Sequence, residues 1–116
     1  MPELIWETMS SEEVLACRVF TIEKHRRRNH HREGEFFVLN GRDWCNIIPV
    51  TSDGNVVMVE QYRHGSQDVT LEIPGGIVDP EDANAAAAAR REMMEECGYD
   101  SSDIEKLGIV HPNPAI

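Results

Sequence analysis

Arg91-Glu92-Met93-Met94-Glu95-Glu96-Cys97-Gly98-Tyr99 is the stretch on which the reading of this chain turns. Five alanines precede it, Ala85 to Ala89. Alanine is the best helix former, so a helix is expected to run through both segments. It should end at Gly98, because glycine readily takes the left-handed conformation that closes a helix. Two starts are open. Asp79 before Pro80 is a good cap and first-turn pair, and Asp82 is a second candidate cap. At about 100° per residue, Glu92, Glu95 and Glu96 share one sector of about 100°. Met93, Met94 and Cys97 lie opposite with Ala86 and Ala87, as a face for packing on a sheet. Arg90 points to that side as well, without an obvious partner.

Three carboxylates on one turn repel one another, at about 1 kcal/mol per close pair in water. A hard divalent cation removes that cost, and carboxylate oxygens are the ligands Mg²⁺ prefers. Arg91 stands one turn before Glu95, spaced to orient its carboxylate. Ala85, Ala88 and Ala89 lie upstream on the same face. Their small side chains let another backbone segment approach, and Pro74-Gly75-Gly76 is the natural candidate. A solvated acidic face is the plain alternative; the spacing is more specific than that.

Outward from the helix, the first half reads as strands. Ala16 to Glu23 alternates loosely, and Glu35 to Leu39 follows Gly34. Asn40-Gly41 is a turn signal. Asp43 to Thr51 and Val56 to Tyr62 flank the turn Ser52-Asp53-Gly54-Asn55 and read as a hairpin. Val69 to Ile73 is a short strand expected to stop at Pro74-Gly75-Gly76. Ile104 to His111 reads as one more. Strands, one helix and a strand make an α+β domain, an α/β/α-type layering.

The chain has 116 residues, enough for one domain. It has no apolar run of about 18 residues, so no membrane span is expected. The N-terminus is acidic and does not read as a secretory signal, which points to the cytoplasm. Cys17, Cys45 and Cys97 are too scattered for a disulfide framework and read as small buried hydrophobes. A net charge of −10 argues against binding nucleic acid or acidic lipid. Five of the eleven Lys and Arg nevertheless fall between Lys24 and Arg32. That run is either an anion-binding surface or a solvated strand edge or loop whose like charges discourage pairing.

The stretch from Gly76 to Tyr99 resembles the Nudix box. That pattern is a glycine, an acidic residue six positions on, then Arg-Glu-hydrophobic-any-Glu-Glu-any-Gly-hydrophobic. Arg91, Glu92, Glu95, Glu96 and Gly98 match every fixed letter of its second half. The first half departs twice: the acidic position holds Asp82 rather than Glu, and one extra residue separates it from Arg91. The shorter Asp82 weakens any part that position has in a metal site. Glu60 to Gly65, Leu71 to Gly76 and the strand ending in His111-Pro112-Asn113-Pro114 look like the ADP-ribose and nucleoside-diphosphate-sugar branch of the family. The likeness covers roughly residues 43–116.

The resemblance implies an α/β/α sandwich-like Nudix fold, a mixed sheet carrying a loop–helix–loop. Residues 1–42 would be an N-terminal strand segment that helps form a homodimer, and 43–116 the Nudix domain. The family's domain continues with further strands and a C-terminal helix, where this branch often keeps its catalytic base, so the chain is expected to lack that part. Carried over by position, Glu92 and Glu96 would bind Mg²⁺, with Mn²⁺ as a substitute, and Glu95 would be a further ligand or the water activator. A carbonyl of Gly75 or Gly76 would complete the metal site, and Arg91 would orient Glu95. Arg63, Glu72 and Gly75 would face the substrate. The basic run could reach a phosphate in the partner's cleft. The reaction implied is Mg²⁺-dependent hydrolysis of the pyrophosphate bond in a small nucleotide of the ADP-ribose or nucleoside-diphosphate-sugar type. A non-catalytic nucleotide-binding module, an inactive fragment, or a structural protein with an acidic helix are the rival readings.

Overall fold

The computed structural model describes residues 4–116. They form two compact units, 4–42 with Ile109–Ile116, and Asp43–Gly108. Each is described by itself.

The first unit is an antiparallel three-stranded sheet in the order β1 (Glu7–Ala16), β2 (Phe20–Arg28), β3 (Glu33–Gly41). The basic run forms much of β2, which is the central strand and neither an edge nor a loop. Its charges are answered across the ladder: Lys24 by Glu12 at 2.8 Å, Arg28 by Glu7 at 2.9 Å, Arg26 by Glu33 at 3.6 Å. Arg27 donates to Thr8 Oγ1, and Arg32 lies over the Trp6 ring. Opposite charges placed directly across a ladder stabilise the pairing, which is why a polar segment such as β1 forms a strand at all. Ala16 to Glu23 is therefore not one strand: β1 ends at Ala16 and β2 begins at Phe20. Asn40-Gly41 is not a turn either. Asn40 pairs with Thr21 and Gly41 with Phe20, so β2 holds both residues extended.

The second unit holds β4 (Trp44–Asn46), β5 (Val59–Arg63), β6 (Asp68–Glu72), β7 (Gly75–Ile77) and α1 (Ala85–Cys97). The expected hairpin over 43–62 reduces to a single bridge, Val50 to Val56, around a turn with Gly54 at φ 85°. β5 instead pairs with β6, and β4 with β7. β6 ends at Glu72, before Pro74, as expected, but a separate strand follows directly. Gly75 and Gly76 begin β7 because Cys45 and Asn46 supply a partner. Every strand pair among the described residues is antiparallel. Residues 104–111 adopt no regular structure, and Leu107, Ile109 and Val110 are exposed. An alternating segment becomes a strand only with a neighbour to bond, and among the described residues none pairs with it.

The helix starts later than either aspartate. Asn84 is its N-cap, with Oδ1 accepting the Ala87 N–H at 2.8 Å. Gly98 closes it at φ 74°, its N–H donating to the Met94 carbonyl, as its position after the last turn predicts. Ala88, Ala89 and Met93 are buried, and Ala88 and Ala89 cluster with Cys45, Ile47 and Val78. The packed face is thus rotated from the expected one: Met94 and Ala86 are exposed. Two small alanines let α1 lie close on β4 and β7, which brings its carboxylates to the Gly75-Gly76 backbone. Arg90 finds its partner in Asp100, through two contacts of 2.6 and 2.8 Å. Among the described residues no helix is long and apolar enough to cross a membrane.

Candidate metal and nucleotide site

The site begins at the unpaired edge of β7. Ile47 N–H donates to Pro74 O, and Val78 N–H to Asp43 O. In that register Cys45 and Gly76 are the hydrogen-bonded pair between them, so the amide and carbonyl of Gly76 point to β4. Those of Gly75 and Ile77 point the other way. Side chains from α1 meet them there: Gly75 N–H donates to Glu96 Oε2 at 3.2 Å, and Arg91 Nη2 to Ile77 O at 3.2 Å. Any side chain on Gly76 would collide with the Glu92 carboxylate. Glu92 is mostly covered, and its burial raises its pKa against the opposing pull of Arg91. Glu95 is exposed.

Arg91 joins these groups. Nε and Nη2 hold Asp82 at 3.0 and 2.9 Å, and Nη2 lies 3.3 Å from Asp79. Nη1 reaches Glu92 at 3.1 Å and Glu95 at 3.3 Å. Arg91 thus contacts Glu95, but its tightest partner is Asp82, whose carboxyl it holds below the ordinary range. Asp82 thus ties the loop before α1 to the carboxylate face.

Arg63, opposite Asp68 in the ladder, and Glu72, opposite Val59, meet diagonally on one face of β5 and β6, with contacts of 2.7 and 2.6 Å. The guanidinium, helped by a hydrogen bond from Thr70, brings the Glu72 pKa down to about 2. Arg63 also lies over the Trp44 ring, 5.8 Å from its centroid. Both residues are thus engaged with each other here. Gln61, which the sequence did not single out, donates from Nε2 to Glu96 Oε1 at 3.1 Å. Its one sequence signal is its place two residues before Arg63, on the same face of β5.

Glu92, Glu95, Glu96, Arg91, Gly75 and Gly76 come together, and Arg63, Glu72 and Gln61 lie in the same unit. Among the described residues no three acidic, His or Cys side chains already stand as a metal-binding group; Glu92 and Glu95 converge on Arg91 instead. The donors are all oxygens on one helix face beside a backbone carbonyl edge. That chemistry fits a hard divalent cation and not a soft one.

The NUDIX domain matches residues 42–115. The chain belongs to the Nudix family. This Nudix chain is 29% identical over 68 residues to an ADP-ribose pyrophosphatase of Bacillus subtilis (strain 168), covering 59% of the chain and 36% of that protein. It is 26% identical over 102 residues to the ADP compounds hydrolase NudE of Escherichia coli (strain K12), covering 85% of the chain and 54% of that protein. It is also 36% identical over 61 residues to the methanol dehydrogenase activator of Bacillus methanolicus, covering 53% and 32%. A solved ADP compounds hydrolase superposes with a TM-score of 0.73 at 24% identity, over 84% of this chain and 54% of that one. That likeness establishes the α+β Nudix fold. The chain spans about half the length of these relatives, or less.

Proposed function

We propose that this chain carries the metal-binding and water-activating part of a pyrophosphohydrolase acting on a nucleoside diphosphate linked to a second group, of the ADP-ribose or nucleotide-sugar type. The observation that carries the reading is the approach of Glu92 and Glu96 to the Gly75-Gly76 backbone, with Arg91 bonded to Glu92 and Glu95. The matches to an ADP-ribose pyrophosphatase and an ADP compounds hydrolase support the substrate class.

Glu92 and Glu96 are the proposed ligands of Mg²⁺, with Mn²⁺ as a substitute, and Glu95 is a further ligand or the acceptor of a proton from water. The carbonyl suited to join them is that of Gly75 rather than Gly76, because the ladder register turns Gly76 toward Cys45. When bound, the metal would neutralise phosphate oxygens and lower the pKa of an attacking water. Arg91 keeps Glu92 and Glu95 from rotating away. Arg63 receives a substrate phosphate by exchanging Glu72 for it. Products would be a nucleoside monophosphate and a phosphorylated second group.

Residues 1–42 are proposed as a dimerisation segment, supported by exposed Val14, Leu15, Phe37 and Leu39 in its sheet. The deciding experiment is Glu96→Gln, assayed for release of the monophosphate from ADP-ribose with Mg²⁺. The rate should fall about a hundredfold, since losing even an outer partner of a metal ligand typically costs roughly 10–100-fold. An unchanged rate would sink the assignment. ADP-ribose binding without turnover in the parent chain would make it a nucleotide-binding module.

A further inference from the structure

We propose that Gln61 is a positioning residue for Glu96, holding that carboxylate in the orientation a divalent cation requires. The inference rests on the reading of Glu96 as a ligand. Among the α1 carboxylates, Glu96 differs in how it is held. Glu92 and Glu95 are both fastened by the Arg91 guanidinium. Glu96 takes one neutral N–H donor on each oxygen: Gly75 N–H on Oε2 at 3.2 Å and Gln61 Nε2 on Oε1 at 3.1 Å.

The two donors come from different strands, β7 and β5. A glutamate on a helix has three free torsions, and one hydrogen bond leaves its carboxylate free to swing about that contact. Two donors on separate strands remove the freedom. A carboxylate only accepts, so the amide nitrogen of Gln61 must be the atom facing it. A neutral donor orients the carboxylate without cancelling its charge, whereas an Arg or Lys at the same place would compete with the incoming cation. Gln61 is half-buried, and the β5–β6 ladder pairs it with Thr70. Arg63, the nearby cation on the same face, is occupied by Glu72 and leaves Glu96 to Gln61.

The test uses the 116-residue chain and Mn²⁺ alone, with free Mn²⁺ followed by electron paramagnetic resonance. Gln61→Met keeps the length and removes the donor; Gln61→Asn keeps the donor and falls short of Glu96. Both should weaken Mn²⁺ binding about tenfold, the typical effect of removing an outer partner of a ligand. The thermal midpoint of the metal-free protein should barely move. Affinity within about twofold of the parent in either folded variant would overturn the proposal. Glu96→Gln is measured alongside. If Glu96→Gln loses Mn²⁺ and the Gln61 variants do not, the positioning role fails and the metal reading survives. If Glu96→Gln binds normally, the metal reading fails and takes this inference with it. In the parent chain, the Gln61 side-chain NH₂ resonances should broaden with the first equivalent of Mn²⁺, and their staying sharp would also overturn it.

Discussion

Arg91 and Asp82 meet through two parallel contacts, Nε to Oδ1 at 3.0 Å and Nη2 to Oδ2 at 2.9 Å. Asp82 Oδ2 also accepts the Asp79 N–H, so one carboxylate closes the loop before α1 and grips the helix. Bidentate pairs of this kind are the strong class of ion pair. The Asp82 side chain is 8% exposed and that of Asp79 42%. Asp82→Ala should therefore lower the thermal midpoint more than Asp79→Ala, and it should weaken Mn²⁺ binding because Arg91 then holds Glu92 and Glu95 less firmly. Equal midpoint shifts in thermal scans would contradict the ranking.

Gly75 and Gly76 are adjacent, but their replacement should have different consequences. The atoms nearest a Cβ on Gly76 belong to the far end of Glu92, a side chain that can move. Gly76→Ala should keep the fold and displace Glu92, lowering Mn²⁺ affinity about tenfold or more. A Cβ on Gly75 meets the Cys45 backbone carbonyl at 2.6 Å, which cannot give way without breaking the ladder. Gly75→Ala should cost about 1–3 kcal/mol, the range for forcing atoms into packed space. Urea unfolding and Mn²⁺ titration of both variants separate the two effects.

The Arg63–Glu72 pair sets an acid limb. The folded-state pKa of Glu72 is about 2, against an ordinary 4.5. A carboxyl depressed by folding adds stability that is fully present above its ordinary value and is lost as pH falls toward the folded one. Glu72→Gln removes that contribution. Its stability deficit relative to the parent should be full at pH 6 and shrink between pH 4.5 and pH 2. A gap that stays constant over that window in urea melts would show that the pair adds nothing.

The helix ends carry separable contributions. Gly98 sits at φ 74° in open space, so Gly98→Ala adds strain without a clash and should cost about 1–2 kcal/mol. Asn84→Ala removes the side-chain acceptor for the Ala87 N–H and should cost about 1 kcal/mol. Helix content at low urea checks both, and a silent Asn84→Ala would return the cap to Asp82.

The sequence alone determined α1, its end at Gly98, the shared face of Glu92, Glu95 and Glu96, and the approach of Gly75-Gly76 to that face. All of these follow from local rules: helical period, alanine propensity, the conformational freedom of one glycine, and small residues where backbones must come close. Only the tertiary structure decided that Asn40-Gly41 and Gly75-Gly76 are strand, that the basic run is a central strand, and that Ile104 to His111 is not one. A strand is made by its neighbour, and β2 and Cys45-Asn46 lie far along the chain from the segments they hold extended. The same reason hid Gln61 on Glu96, Glu72 on Arg63 and Asp82 on Arg91. Each of those bonds joins residues at a separation that no helical or strand period encodes.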